Sequence, residues 1–249
     1  MKKLSMLVLS VLCLALLTGP SFAADRQAVV TPVSGDAVTV NPVIQPTGAN
    51  GVCQMGNLNP LAFAITDWVW GAEKYKYMFY ADPGLCTACA EGFTVESVNL
   101  VLQFGPEDVP STFDARVDFE EAIWDETLQC HYPGPEVCVS STYTVTIDNP
   151  GLYNISLPMD AACACAHFGY WYGISFEFMT AFTSGMEPDL VTDEFPVGCT
   201  SWNDYGSGWN DLLDFGFPGE IALSAEIICC NNPVATDEST WGSIKAMFR

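Results

Sequence analysis

Apolar and polar positions alternate with a period of two over much of this chain. Phe113, Ala115, Val117 and Phe119 are interleaved with Asp114, Arg116, Asp118 and Glu120. Tyr143, Val145 and Ile147 alternate with Thr142, Thr144, Thr146 and Asp148, and Tyr153, Ile155 and Leu157 alternate with Asn154 and Ser156. Ile221, Leu223, Ala225 and Ile227 face away from Ser224 and Glu226. This spacing predicts strands with one buried face. The runs 75–80, 93–104 and 168–179 are more continuously apolar, which suits strands covered on both faces. Turn signals separate them: Asp82-Pro83-Gly84, Pro133-Gly134-Pro135, Asp148-Asn149-Pro150-Gly151 and Phe217-Pro218-Gly219. No core segment sustains a 3.6-residue period. The expected fold is all-β: seven to nine strands in an antiparallel β-sandwich of jelly-roll type, stapled by disulfides.

The ends break this pattern. Residues 1–23 read as a signal peptide, with Lys2 and Lys3 ahead of an apolar run to Leu17 and the small residues Ser21 and Ala23 at the cleavage site. The run is too short for a membrane span, which needs about 20 apolar residues, and no later stretch is long and apolar enough to supply one. Residues 24–52 carry Pro32, Pro42 and Pro46 and read as an extended arm with one edge strand. The sandwich domain is expected over 53–230. Residues 231–249 form a tail in which Trp241, Ile244 and Phe248 share one face of a helix.

Of 249 residues, 30 are acidic and 8 are basic, and leader cleavage removes two of the basic ones. A polyanionic surface excludes nucleic acid as a partner. Ten cysteines remain outside the leader: Cys53, Cys86, Cys89, Cys130, Cys138, Cys163, Cys165, Cys199, Cys229 and Cys230. An even number in an exported chain reads as a disulfide framework. Spacing does not give the connectivity. Neighbouring Cys229 and Cys230 are each expected to seek a distant partner. Cys130 and Cys138 flank a seven-residue loop that a local bridge would close. Cys86-Thr87-Ala88-Cys89 has a redox or zinc alternative, the latter with Cys163, Cys165 or His167, but structural disulfides are the expectation outside the cell.

The strongest candidate site is Trp202-Asn203-Asp204-Tyr205, followed by Trp209-Asn210-Asp211, in which Trp-Asn-Asp recurs after seven residues. Aromatic rings stack on the apolar face of a sugar, while Asn and Asp hydrogen-bond its hydroxyls. The competing reading is a loop anchored by inward tryptophans, with Asp and Asn forming turns. Asp189, Asp193 and Glu194 lie nearby in sequence. With Asp204 they form an oxygen-rich set of the kind calcium takes, although no EF-hand spacing is present. Asp114, Arg116, Asp118 and Glu120 share one strand face, which is expected to be solvated; as a catalytic alternative Asp118 and Glu120 would serve a glycoside hydrolase. His131 and His167 belong to no recognised hydrolase pattern.

Gly92–Leu100, Pro188–Asp193 and Gly216–Ala225 resemble segments of exported bacterial β-sandwich proteins, the last being similar to the closing strand of secreted jelly-roll domains. Trp241–Arg249 resembles the C-terminal endings of exported proteins of some Gram-negative bacteria, which implies sorting or anchoring. The resemblance carries no catalytic residue. The expected role is a non-enzymatic secreted or cell-surface protein, the periplasm included, that binds carbohydrate or another surface component. A structural or adhesive role without a small ligand, and the glycoside hydrolase, are the alternatives.

Overall fold

Alternation of side chains across each strand builds two antiparallel sheets that bury one face each against the other. A computed structural model describes residues 26–33, 52–87, 89, 91–159 and 163–230. The leader, residues 34–51 of the arm and the tail lie outside the described residues. The strands are β1 (Val29–Pro32), β2 (Val52–Gly56), β3 (Phe63–Ile65), β4 (Lys74–Tyr80), β5 (Phe93–Phe104), β6 (Ser111–Asp125), β7 (Cys130–Val139), β8 (Tyr143–Ile147), β9 (Gly151–Pro158), β10 (Trp171–Phe178), β11 (Asp189–Thr192), β12 (Ser201–Asp204), β13 (Trp209–Asp211) and β14 (Leu223–Cys229). A single 3-10 turn, Leu212–Phe215, is the only helical element among the described residues.

The first sheet contains β2-β14-β5-β9 and the second β4-β10-β6-β8. Of these eight strands, only β6 and β8 follow one another within a sheet; every other step crosses to the opposite layer. That is jelly-roll connectivity. The remaining strands extend the edges. β1 pairs with β9, so the described part of the arm forms the expected edge strand, ending on Pro32 where no ladder donor is needed. β11 and β3 continue from the far end of β5, and β12 and β13 continue from β4.

The period-two residues meet between the layers. Phe113, Ala115, Val117, Phe119, Val145, Ile147, Ile155, Leu157, Leu223, Ala225 and Ile227 are all buried there, beside Phe93, Phe176 and Phe178. Each buried ring or aliphatic side chain contributes about 1.5–3 kcal/mol.

All ten cysteines are paired: Cys53–Cys86, Cys89–Cys229, Cys130–Cys199, Cys138–Cys163 and Cys165–Cys230. Cys229 and Cys230 do seek distant partners. The local Cys130–Cys138 bridge does not form, because both cysteines lie in β7, at opposite ends of a strand that extends them away from each other. Pro133-Gly134-Pro135 is likewise part of this edge strand and not a turn; the chain reverses earlier, at residues 126–129. The pairing of β6 with β7 slips at Phe119/Glu120 and again at Glu120/Ala122. Such irregularities bend a strand. The hairpin tip thereby reaches β12: Cys130 is bonded to Cys199, and the Tyr132 ring stands edge-on to Trp202 at 5.2 Å. The hairpin therefore lies as a strap over the outer face of the second sheet.

Candidate functional site: an aromatic cleft beside a covered charge cluster

Strand alternation divides the Trp-Asn-Asp segments between two faces. In the β12–β13 pair Trp202 lies opposite Asp211, Asn203 opposite Asn210, and Asp204 opposite Trp209. Trp202, Asp204, Trp209 and Asp211 thus share the outer face, and Asn203 and Asn210 the other. Trp202 is 2 % exposed beneath the strap. Trp209 lies over the Lys76 ammonium position, 4.0 Å from Nζ to the ring centroid. Asp204 Oδ1 accepts from Gly206 N and Gly208 N, closing the turn between the strands. Asp211 Oδ1 accepts from Leu213 N and caps the 3-10 turn. These four residues serve the scaffold. Trp202 is packed away beneath the strap while Trp209 lies half-buried over Lys76, so the two do not form a stacking platform together.

The other three line a cavity. Asn203, Tyr205 and Asn210, with Trp68, Trp70, Leu212 and Phe215, enclose about 290 Å³ at the margin of the sandwich, and Asp67 stands at its edge. Trp70 and Tyr205 are 51 % and 39 % exposed, and their rings lie 5.2 Å apart at an interplanar angle of 35°. The loop carrying Trp70 is held from below. Buried Glu73 accepts from Trp70 N at 2.6 Å and Gly71 N at 2.9 Å through Oε1, and from Asn203 Nδ2 at 3.1 Å through Oε2. Tyr75 donates its hydroxyl to the Trp68 carbonyl. Gly71 has φ +79°, and a Cβ there would stand 2.2 Å from the Thr180 carbonyl oxygen, so this loop position requires glycine. Burial raises the Glu73 carboxyl above its usual range, opposed by its hydrogen bonds. Burial, with Glu73 nearby, pushes the Tyr205 hydroxyl up to about 12.

Asn203 is fully buried, and its Oδ1 has no hydrogen-bond partner among the described residues. Its Nδ2 is committed to Glu73, so the atom left unpaired is an acceptor buried behind the cavity wall. A buried carbonyl left unmade costs about 1–3 kcal/mol. Neither Trp68 and Trp70 nor Glu73 was singled out by motif. The signal available was Trp68-Val69-Trp70-Gly71 followed by an acid, placed immediately before an apolar strand.

On the opposite face, β4 and β6 bring Lys74 and Lys76 against Asp118 and Glu120 across Ser175 and Gly173 of β10. Asp118 and Glu120 are 0 % and 1 % exposed, which corrects the expectation of a solvated strand face: the strap covers them. Lys74 Nζ contacts Asp118 Oδ2, Glu120 Oε1 at 2.9 Å and Glu136 Oε1 at 3.0 Å. Lys76 Nζ meets Glu120 Oε2. Ser175 Oγ donates to Glu120 Oε1 at 3.1 Å. Burial pushes the Lys76 amine down to about 6, helped by the Lys74 charge and outweighing the attraction of Asp118, Glu136 and Asp204. Burial also raises Asp118. The oxygens of Asp118, Glu120 and Glu136 lie within 4.8 Å of one another, close enough for a cation, but the Lys74 ammonium already contacts all three. The strap leaves a glycoside no approach to Asp118 and Glu120, so the hydrolase alternative has no accessible carboxylate pair.

The calcium set is not assembled. Asp189 begins β11 in the first sheet, Asp193 lies just past its end and Asp204 ends β12 in the second, and among the described residues the three do not come together as a ligand group. Asp193 is already saturated: Oδ1 accepts from Phe195 N and Glu220 N, and Oδ2 from Asn57 Nδ2 and Asn59 Nδ2. Burial raises Asp189, with Asp108, Glu107 and Asp67 adding repulsion. His131 stacks on Trp171 at 4.7 Å, and His167 binds the Tyr172 hydroxyl through its backbone.

Fold and site together define a disulfide-stapled jelly-roll domain with an aromatic cleft at one margin. Residues 67–226 match the family model of a domain of unknown function, DUF7451, and the chain belongs to that family. The matched span begins at the cleft's edge and contains both the cleft and the charge cluster. No curated protein and no solved structure matches the chain.

Proposed function

We propose that this is an exported, non-enzymatic domain that binds a carbohydrate in the cleft between Trp70 and Tyr205. The observation that carries the reading is the pair of exposed rings, Trp70 and Tyr205, 5.2 Å apart, that wall a cavity lined by the amides of Asn203 and Asn210. A sugar offers what such a site takes: an apolar ring face for the indole and phenol, and hydroxyls for the Asn210 amide in the same lining. The volume, about 290 Å³, is at the small end for ligand pockets and suits one or two sugar units at a chain end or branch. Five disulfides support an oxidising compartment, and no described helix is long and apolar enough to cross a membrane. The resemblance to exported bacterial β-sandwich proteins supports a secreted or cell-surface location, with the tail as a sorting element.

The test is a glycan array followed by calorimetry on any hit. Binding should be lost in Trp70→Ala and Tyr205→Ala while the melting temperature holds. Binding that survives both substitutions places the ligand elsewhere and overturns the cleft. An adhesive role is the second reading, favoured by Ile123, Trp124, Leu128 and Tyr170, all exposed. An empty array together with partner capture abolished by Trp124→Ser would establish that reading instead.

A further inference from the structure

We propose that the Lys76 side chain and the Glu120 side chain become joined by an amide bond, Nζ to Cδ, which cross-links β4 to β6 across β10.

Three features of the geometry carry this. First, the two groups are in contact and have nowhere else to go. Lys76 Nζ meets Glu120 Oε2, and neither atom has a hydrogen-bond partner elsewhere among the described residues. Both residues are 0–1 % exposed. Second, the strand between them is opened for the crossing. Gly173 lies between Met78 and Glu120 in the sheet, and a Cβ there would stand 3.0 Å from Lys76 Cδ and 3.0 Å from Met78 Sδ. The missing side chain is the passage the lysine stem uses. Third, the surroundings match what amide formation requires. Glu120 Oε1 is held by the Ser175 hydroxyl at 3.1 Å and the Lys74 ammonium at 2.9 Å, two donors aimed at the oxygen that becomes negative when Cδ turns tetrahedral. An Asp118 oxygen lies within 4.8 Å of a Glu120 oxygen. The Trp209 ring closes the far side of Nζ.

The reaction is a condensation. Lys76 reacts as the free amine, the form burial favours, and Glu120 as the neutral acid. The Nζ lone pair forms a bond to Cδ, and charge collects on Oε1 under Ser175 and Lys74. One proton passes from Nζ to Oε2, the oxygen that Nζ meets, beside the Asp118 carboxylate. The Cδ–Oε2 bond then breaks, and Oε2 departs as water with that proton and its own. No oxidant or cofactor enters. Two features drive it. Fixed neighbours react as though present at an effective concentration on the order of 10⁵ M or more. A neutral amide also removes the desolvation cost of an ion pair held out of water. In the product, Oε1 keeps both donors and the remaining N–H faces the Trp209 ring, a weak acceptor.

The experiment is denaturing intact-mass spectrometry of the exported protein after full reduction and alkylation of the cysteines. The chain is expected to weigh one water less than its sequence requires. Proteolysis should yield a branched peptide joining the segments around Lys76 and Glu120. Lys76→Ala, Glu120→Ala and Gly173→Val should each restore the full mass, the last while keeping both reacting groups. A wild-type chain of full sequence mass whose Lys76 is freely acetylated after denaturation would overturn the proposal, whether or not the variants fold.

Discussion

The Asn203 amide nitrogen donates to Glu73 Oε2 at 3.1 Å, and that bond ties β12 to the loop in front of β4 behind the cleft. The same carboxylate holds the Trp70 and Gly71 amides, so one buried acid orients both the polar floor and the aromatic wall. Replacing Asn203 should therefore have two effects. In Asn203→Ala, Glu73 Oε2 loses its donor while staying buried, a cost of about 1–3 kcal/mol. The Trp70 loop, held by the same carboxylate, should loosen, and ligand affinity should fall roughly tenfold. Thermal denaturation and calorimetry on the same preparation separate the two effects. An unchanged affinity would remove Asn203 from the site.

This arrangement was half legible in the sequence. The Trp202–Asp211 segment offers a candidate for sugar binding, but reading it as one loop merges residues that a pair of short strands sends to opposite faces. The partners Trp68, Trp70 and Glu73 are more than 120 residues away and carry no motif, so only the fold brings them in. The core was far more readable, because Phe113 through Phe119 obey a two-residue period that burial enforces at every step. The same period misled on the other face. Asp118 and Glu120 look solvated by alternation; what buries them is the strap, and its path depends on bulges around Glu120 and on Cys130–Cys199. The cysteine count pointed to the compartment, while the pairings required distances the sequence does not contain.

The strap has its own consequence. Cys130 and Cys199 are 69 residues apart, and a link closing a loop of that length stabilises by about 4 kcal/mol through the unfolded chain. The double variant Cys130→Ser/Cys199→Ser should melt lower by about 10 °C, at roughly 2–4 °C per kcal/mol for a domain of this size. The hairpin tip at residues 126–129 should also become a site of limited proteolysis under native conditions. Loss of stability without new cleavage there would mean that the remaining contacts, Tyr132 on Trp202, His131 on Trp171 and Glu136 with Lys74, hold the strap without the disulfide.

Gly71 offers a test of the cleft that leaves its lining residues in place. At φ +79° an alanine pays about 1–3 kcal/mol for the backbone conformation, before its Cβ meets the Thr180 carbonyl oxygen. The loop must shift, and Trp70 shifts with it. Gly71→Ala should lower stability by at least about 1 kcal/mol and weaken ligand binding, with the near-ultraviolet dichroism of the tryptophans altered. Unaltered binding would show that Trp70 need not hold its position above Tyr205.

Glu220 gives the fold a defined pH dependence. It is 2 % exposed, yet accepts from Val197 N through Oε1 and from Ser201 Oγ through Oε2. Burial outweighs these donors and pushes the carboxyl up to about 7, from an ordinary value of 4.5. Between those two values the folded protein holds a proton that the unfolded chain has released. Stability must therefore fall as pH rises through this window and level off above it. The full difference is about 3 kcal/mol at 1.36 kcal/mol per unit. Glu220→Gln cannot titrate, so denaturant midpoints measured from pH 4.5 to 8 should show the wild type losing stability relative to the variant across that range. Asp118 and the other groups shifted by burial contribute alike in both proteins and cancel in the difference. Parallel curves would mean that Glu220 keeps an ordinary carboxylate, and that the Val197 and Ser201 donors compensate its burial.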